Sequence, residues 1–389
     1  MKPQKNKKEV RYQGVEQGPI RPPSEAQSLL IRVTRNCPWN HCTFCPVYKG
    51  DRFSIRPKDH VKQDIDTLGK FAGELRALWE KEGHIARRHI DNLSKTVDAS
   101  EMNALYAVVN WMSGGMKSIF LQDANSLIIR PGDLIDILNH MRGAFPWVER
   151  ITSYARSHTI AKISDDDMRE MARAGLNRIH IGLESGSDTV LKMVKKGVTK
   201  EIHIKAGKKV KTAGIELSEY VMPGLGGQAL SHDHARETAD ALNQINPDFI
   251  RLRSLAIPKQ VPLFQLYDSG EFEKCTDLMM CREILLFIES LNGITSTLAS
   301  DHILNLFQDV EGTFPTDKPS MMTILKAFID MAPHDRMLYQ VGRRLGMFAS
   351  LKDLDNGMNR EKVEAICRDM GITPANADAM IDEMMRRFI

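Results

Sequence analysis

The stretch SLLIRVTRNCPWNHCTFCPVYKG, residues 28–50, decides how the chain is read. It opens with an apolar, β-branched run, Ser28 to Thr34, that reads as a strand. Directly after it come Cys37, Cys42 and Cys45 in C-x4-C-x2-C spacing. Three thiols on one loop point to a metal or cluster site. A structural zinc centre takes four protein ligands, which His41 or His60 would have to complete. An iron–sulfur cluster can instead leave one position open to a small molecule. The spacing alone leaves both readings standing.

Working outward, the strand proves to be the first of a series. Short strand-like runs at Lys117–Leu121, Arg150–Ala155, Asn177–Leu183, Ile215–Met222 and Phe249–Ile257 alternate with amphipathic stretches, the pattern of parallel strands joined by crossover helices. The first such helix carries Val61, Ile65, Leu68, Ala72 and Leu75 on one face; a later one carries Met102, Leu105, Val109 and Met112. Pro131 suits a first helical turn, and Ser164 before three aspartates suits a helix start. Residues 83–97 interrupt the alternation as an insertion whose His84, Arg87, Arg88 and His89 form either a lid or a solvated surface. Beyond Pro258 only helical patterns are expected. The last of them opens at Thr373-Pro374 with Ala377, Met380, Ile381, Met384 and Phe388 on one stripe, either core packing or a partner-binding face. The chain therefore divides into an arm and linker (1–25), an α/β core (26–258) and a helical extension (259–389).

The 389 residues, 42% apolar and 26% charged, are ample for a buried core and exclude disorder. Lysine plus arginine total 53 against 50 acidic residues, and a net charge of +3 does not argue for wholesale nucleic-acid or membrane binding. Lys2, Lys5, Lys7, Lys8 and Arg11 form a basic arm that can touch a polyanion but is more simply a solvated terminus. No stretch has the length of a signal peptide's apolar region or a membrane helix, so a cytoplasmic protein with no membrane partner is expected. Six cysteines in so long a chain are no disulfide framework. Cys275 and Cys281, six apart on an expected helix, do not share a face, and Cys367 sits on an apolar stripe; all three read as buried small side chains.

The cysteine loop resembles the signature of the radical S-adenosylmethionine superfamily, with Phe44 as the aromatic residue before the last cysteine and a first gap one residue longer than usual. Three further segments agree. Phe120-Leu121-Gln122-Asp123-Ala124-Asn125 stands at the family's glycine-rich motif, without its glycines. Gly182-Leu183-Glu184-Ser185-Gly186, followed by VLKMVKKGVT, and SEYVMPGLGG are similar to the oxygen-independent coproporphyrinogen oxidase and elongator-like branches. The resemblance spans about residues 26 to 258. It implies a partial (β/α)6 barrel of TIM-like form with a C-terminal helical extension, and a [4Fe–4S] cluster on Cys37, Cys42 and Cys45. It further implies S-adenosylmethionine held on the fourth iron and cleaved to a 5′-deoxyadenosyl radical by an electron from a donor of flavodoxin or ferredoxin type. Phe44, Asp123, Ser153, Glu184, Ser185, Lys196 and Glu219 are then the expected cofactor contacts. In that role Asp123 meets the ammonium, Lys196 the carboxylate, and Glu219, with Ser153 or Tyr154 nearby, the ribose; strand phase leaves Glu216 as the alternative to Glu219.

Alternation along the strands places Arg178, His180, Gly182 and Glu184 toward the barrel interior, and likewise Arg251 and Arg253. Arginines there either bind an anionic group of the substrate or form a salt bridge with Glu184, Glu216 or Glu219. Asp301, His302 and Asn305 are expected at the start of a helix, as a cap or as part of the substrate pocket. Arg251, Arg253 and His302 are thus the candidate catalytic residues. A small anionic substrate is the reading favoured by the near-neutral charge; an RNA base is the alternative, and a non-catalytic zinc or iron–sulfur protein the third.

Overall fold

The computed structural model describes residues 11–386. Lys2, Lys5, Lys7, Lys8 and Phe388 lie outside them. The sheet runs in chain order, each strand beside the next: β1 (Leu29–Arg32), β2 (Ser118–Gln122), β3 (Arg150–Ala155), β4 (Leu176–Glu184), β5 (Glu216–Val221), β6 (Phe249–Leu252), β7 (Thr297–Ala299) and β8 (Gly312–Thr313). The first seven are parallel and only β8 is antiparallel. Because β1 and β8 are not joined, the barrel is open. All six expected strands form. The helical reading beyond Pro258 needs correction, since β7 and β8 extend the sheet past that point; at three and two residues they are too short to leave a period-two signal.

Helix α1 (Lys58–Glu82) buries Val61, Ile65, Leu68, Ala72 and Leu75 completely. Each large aliphatic side chain so placed contributes roughly 1.5–3 kcal/mol. Helix α2 (Arg87–Thr96) buries nothing, and α3 (Met102–Ser113) buries Ala104, Leu105, Val108 and Trp111, a face one position round from the expected one. The indole sets that phase: Trp111 Nε1 donates to Ser118 O at 2.8 Å. In the insertion after α1, His89 Nε2 stands 3.2 Å from Glu82. Pro131 and Ser164 start their helices as expected, with Ser164 Oγ accepting from Asp167 N at 3.0 Å. The final helix, Ala377–Arg386, turns Ala377, Ile381 and Met385 into the core. Among the described residues no helix is long and apolar enough to cross a membrane.

The segment before β1 is no loose arm. The side chain of Gln122, at the end of β2, holds Gly18 N at 2.8 Å and Ile20 O at 2.6 Å. At the starting end of the same strand, Glu25 is fully buried and Ser28 Oγ meets Ser118 Oγ at 2.7 Å. Residues 18–25 therefore run the length of the barrel.

Candidate active site

The cysteine loop rises from β1 through a small hairpin, Thr34–Arg35 with Ser54–Ile55, and is tied down at both ends by one carboxylate. Asp123 Oδ2 accepts from Arg32 Nη2 at 2.6 Å and from Asn36 N at 3.1 Å, while Asp123 Oδ1 accepts from Tyr48 Oη at 2.8 Å. Asp123 is thus fully engaged inside the protein. Its expected role on the cofactor ammonium is corrected: its side chain clamps the loop.

Inside the loop, Asn36 and Asn40 take left-handed backbone at φ 65° and 47°, which asparagine tolerates better than most residues. Thr43 N donates to Val194 O at 3.0 Å, and Leu263 N donates to Thr43 O at 2.9 Å. Trp39 Nε1 donates to Lys195 O at 2.7 Å, its ring lying where a Cβ on Gly197 would stand 2.3 Å away. Phe44 joins Val190, Val194, Met222, Leu255, Leu263 and Phe272 in an apolar jacket that also receives Cys42 and Cys45. Sequence reading missed Asn36, Trp39, Asn40, Tyr48, Arg156 and Gly197; only the two asparagines, at positions suited to left-handed turns, gave a signal.

The three thiols share one electrostatic neighbourhood. Burial pushes the Cys42 thiol up, Lys196 and Arg156 pull it down, and Cys45 and Cys37 push it up again. Tetrahedral zinc would draw its sulfurs to about 3.8 Å from one another. Among the described residues no three Cys, His, Asp or Glu side chains converge in that way. His41 packs edge-on to Trp39 and His60 to Tyr12, so neither completes a zinc set. Three thiols facing two half-buried cations in an apolar jacket do suit a larger, anionic thiolate-bound cluster. Cys275, Cys281 and Cys367 are buried elsewhere, and burial pushes the Cys275 thiol up to about 12. Cys275 precedes its helix, Asp277–Ser290, rather than sitting on it.

Across from the loop, Glu184 ends β4 at φ 64° and accepts from Lys196 Nζ at 3.0 Å. Burial works against the Lys196 charge, but Glu184 and Cys42 outweigh it and its pKa rises. Gly182 makes room for the pair, because a Cβ there would fall 2.3 Å from Glu184 Oε1. Lys196 Nζ also stands 5.7 Å from the centre of the Phe44 ring.

Three other expected cofactor contacts face elsewhere. Ser153 is in register with Leu121 and Ile179, and Glu219 with Ile181 and Ile250; all four neighbours belong to the helix-side core. Both side chains therefore point away from the interior, where Tyr154 and Tyr220 stand instead. Burial holds the Glu219 carboxyl well above the usual range, against the pull of Lys196. Glu216 is exposed at the strand start and pairs with Arg178 at 2.7 Å. Ser185 Oγ is taken by Ser187 N at 3.0 Å and His234 Nδ1 at 2.8 Å.

At the mouth, Arg251 pairs with Asp301 Oδ2 at 2.5 Å, so its salt bridge forms with a partner outside the expected three. Arg253 is exposed and makes no salt bridge with a described residue. His302 stands near it, its pKa pushed down to about 4 by burial and then by Arg253. Residues 301–305 form a loop rather than a helix start, and Asn305 Oδ1 accepts from Ser254 N at 2.9 Å.

Residues 89–240 match the Radical SAM superfamily, a stretch that begins beyond the cysteine loop. The chain is 21% identical over 266 residues to the tRNA uridine(34) acetyltransferase of Methanocaldococcus infernus, covering 66% of this chain and 48% of the relative. It is 24% identical over 237 residues to a CDK5RAP1-like protein of Oryza sativa, covering 59% and 36%. The chain thus spans about half or less of the relatives it matches. The coproporphyrinogen III oxidase of Escherichia coli, described as a radical SAM enzyme, aligns with a TM-score of 0.43 at 14% identity, over 67% of this chain and 52% of its own. The match makes residues 89–240 similar to the domain of a superfamily whose enzymes use a [4Fe–4S] cluster and S-adenosylmethionine.

Proposed function

We propose that Cys37, Cys42 and Cys45 hold the cluster and that Lys196 and Glu184 receive the charged ends of S-adenosylmethionine. A cation and an anion 3.0 Å apart, half-buried beside the thiols, form a preorganised partner for a zwitterion. This is the observation that carries the reading. When bound, the cluster and cofactor supply a carbon-centred radical that takes a hydrogen atom from the substrate. The chain's part is to exclude water with the jacket around Phe44, to hold the loop through Asp123, and to orient the substrate at the mouth. Arg253 faces that mouth with a free charge, and His302 beside it stays neutral at physiological pH, so a small substrate with a carboxylate or phosphate is the reading the mouth supports. The electron comes from a donor of flavodoxin or ferredoxin type.

Anaerobic reconstitution with iron and sulfide tests this. Cluster absorbance, and formation of 5′-deoxyadenosine with dithionite, should both be lost in Cys37→Ala, Cys42→Ala and Cys45→Ala and kept in Cys281→Ala. Uptake of zinc without cluster absorbance would sink the reading. Arg253→Ala should weaken substrate turnover without changing thermal stability; intact turnover removes the anion-binding role. An RNA substrate is the second reading, favoured by the tRNA-modifying activity named for the archaeal relative. It requires salt-sensitive tRNA binding that is lost on deletion of residues 1–12.

A further inference from the structure

Beneath the mouth the barrel interior has a polar floor that none of the roles above uses. Thr152, His180 and Ser218 point into it from β3, β4 and β5, all fully buried. Glu25 reaches it from the amino-terminal segment, with Oε1 3.5 Å from His180 Nε2. Thr152 Oγ1, Ser218 Oγ, both His180 ring nitrogens and Glu25 Oε1 have no hydrogen-bond partner among the described residues. One such orphan costs about 1–3 kcal/mol, and native interiors leave only a few per domain. Five such atoms around one level of the lumen are the mark of buried water, which bridges polar groups that protein partners leave unmet.

We propose that the floor of the barrel holds a hydrogen-bonded chain of ordered water molecules that connects the mouth, at Tyr154 and Tyr220, to the Glu25–His180 pair as a proton store. The proposal rests on the assignment of the mouth as the reaction site; the water chain itself does not. His180 is ringed by Phe120, Tyr154 and Tyr220 at centroid distances of 6.4, 5.5 and 5.7 Å. The charges acting on it are Glu25 from the amino-terminal segment, Arg178 on its own strand and Arg251 from β6. The two arginines and burial keep the ring neutral at rest, while Glu25 steadies it once protonated. A proton leaving a substrate O–H or N–H group at the mouth, whose electron pair stays on the substrate, passes along hydroxyl and water oxygens to a free His180 nitrogen. Only O–H and N–H bonds form and break, no electron moves, and the imidazolium stands beside the Glu25 carboxylate.

The test compares the full chain with Thr152→Val and Ser218→Ala, reading thermal unfolding and the solvent exchange of the His180 ring proton by NMR. With water present, each variant removes a partner from the chain, lowers the unfolding midpoint by about 2 °C or more and slows ring exchange about tenfold. A dry floor gives the opposite: removal of an orphaned hydroxyl leaves the midpoint unchanged or raised, and exchange does not change. That result overturns the proposal, as does a lowered midpoint with exchange unaltered, which would leave water but no proton link. Neither readout needs cluster or cofactor, so failure of the radical chemistry and failure of the water chain remain separable.

Discussion

Asp123 carries more of the site than its single charge suggests, because it binds a residue on each side of the cysteines together with Arg32. Replacing it by asparagine removes the nearer of the two carboxylates on the Arg32 guanidinium, Glu16 standing 3.8 Å away, a loss of about 2 kcal/mol. Asp123→Asn should therefore lower the denaturation midpoint and also lower iron bound per chain after reconstitution; normal iron content would show that the loop keeps its shape without the clamp. His203 gives a second expectation. Buried against Ser157 Oγ at 2.7 Å, its pKa is pushed down to about 3 by burial, Lys196 and Arg156. Below pH 6.5 the unfolded chain takes up a proton that the native ring refuses until about pH 3, so stability present above 6.5 falls on acidification. Between pH 6.5 and 5 this single group accounts for about 2 kcal/mol, and His203→Asn should flatten the urea-midpoint profile there. At this scale the sequence singled out Cys37, Cys42 and Cys45 by spacing and Lys196 and Glu184 by resemblance, residues that the structure brings into one neighbourhood. Ser153 and Glu219 were not. A strand shows its two faces only when neighbouring strands fix the register, and a polar residue on the helix side breaks the alternation that sequence reading relies on.

At the scale of elements, helices with long apolar faces and clear start residues could be read directly: α1, and the helices opened by Pro131 and Ser164. Two short strands could not, nor could the phase of α3, which Trp111 sets through a hydrogen bond to a distant strand. The turn after Lys196 shows how one element depends on another. Gly197 has φ 70°, and the Trp39 ring fills the space where its Cβ would lie. Gly197→Ala combines a left-handed alanine with a steric clash, and should cost about 2 kcal/mol or more. Because Trp39 lies inside the cysteine loop, the same variant should alter the absorbance or EPR spectrum of the reconstituted cluster; an unchanged spectrum would mean that the tryptophan moves independently of the thiols.

For the molecule as a whole, the expected division at residue 258 gives way to a sheet that continues through β8 and a helical extension that touches the site. Leu263 donates its backbone N–H to Thr43, and Phe272 completes the jacket around Cys42 and Cys45. The charge of +3 proves a weak guide, since Arg251 is neutralised by Asp301 while Arg253 is exposed and makes no salt bridge with a described residue.

That stitching of the cysteine loop has a consequence for how the protein is made. Thr43 joins Val194 on one side and Leu263 on the other, contacts that bridge most of the sequence, and pairings so distant form late because long loops must close first. The thiols therefore gather only after most of the chain has left the ribosome, and cofactor loading is a closing event of biogenesis. During refolding from urea, alkylation of Cys37, Cys42 and Cys45 should persist after Cys281 is protected, whereas simultaneous protection would mean that the loop organises itself.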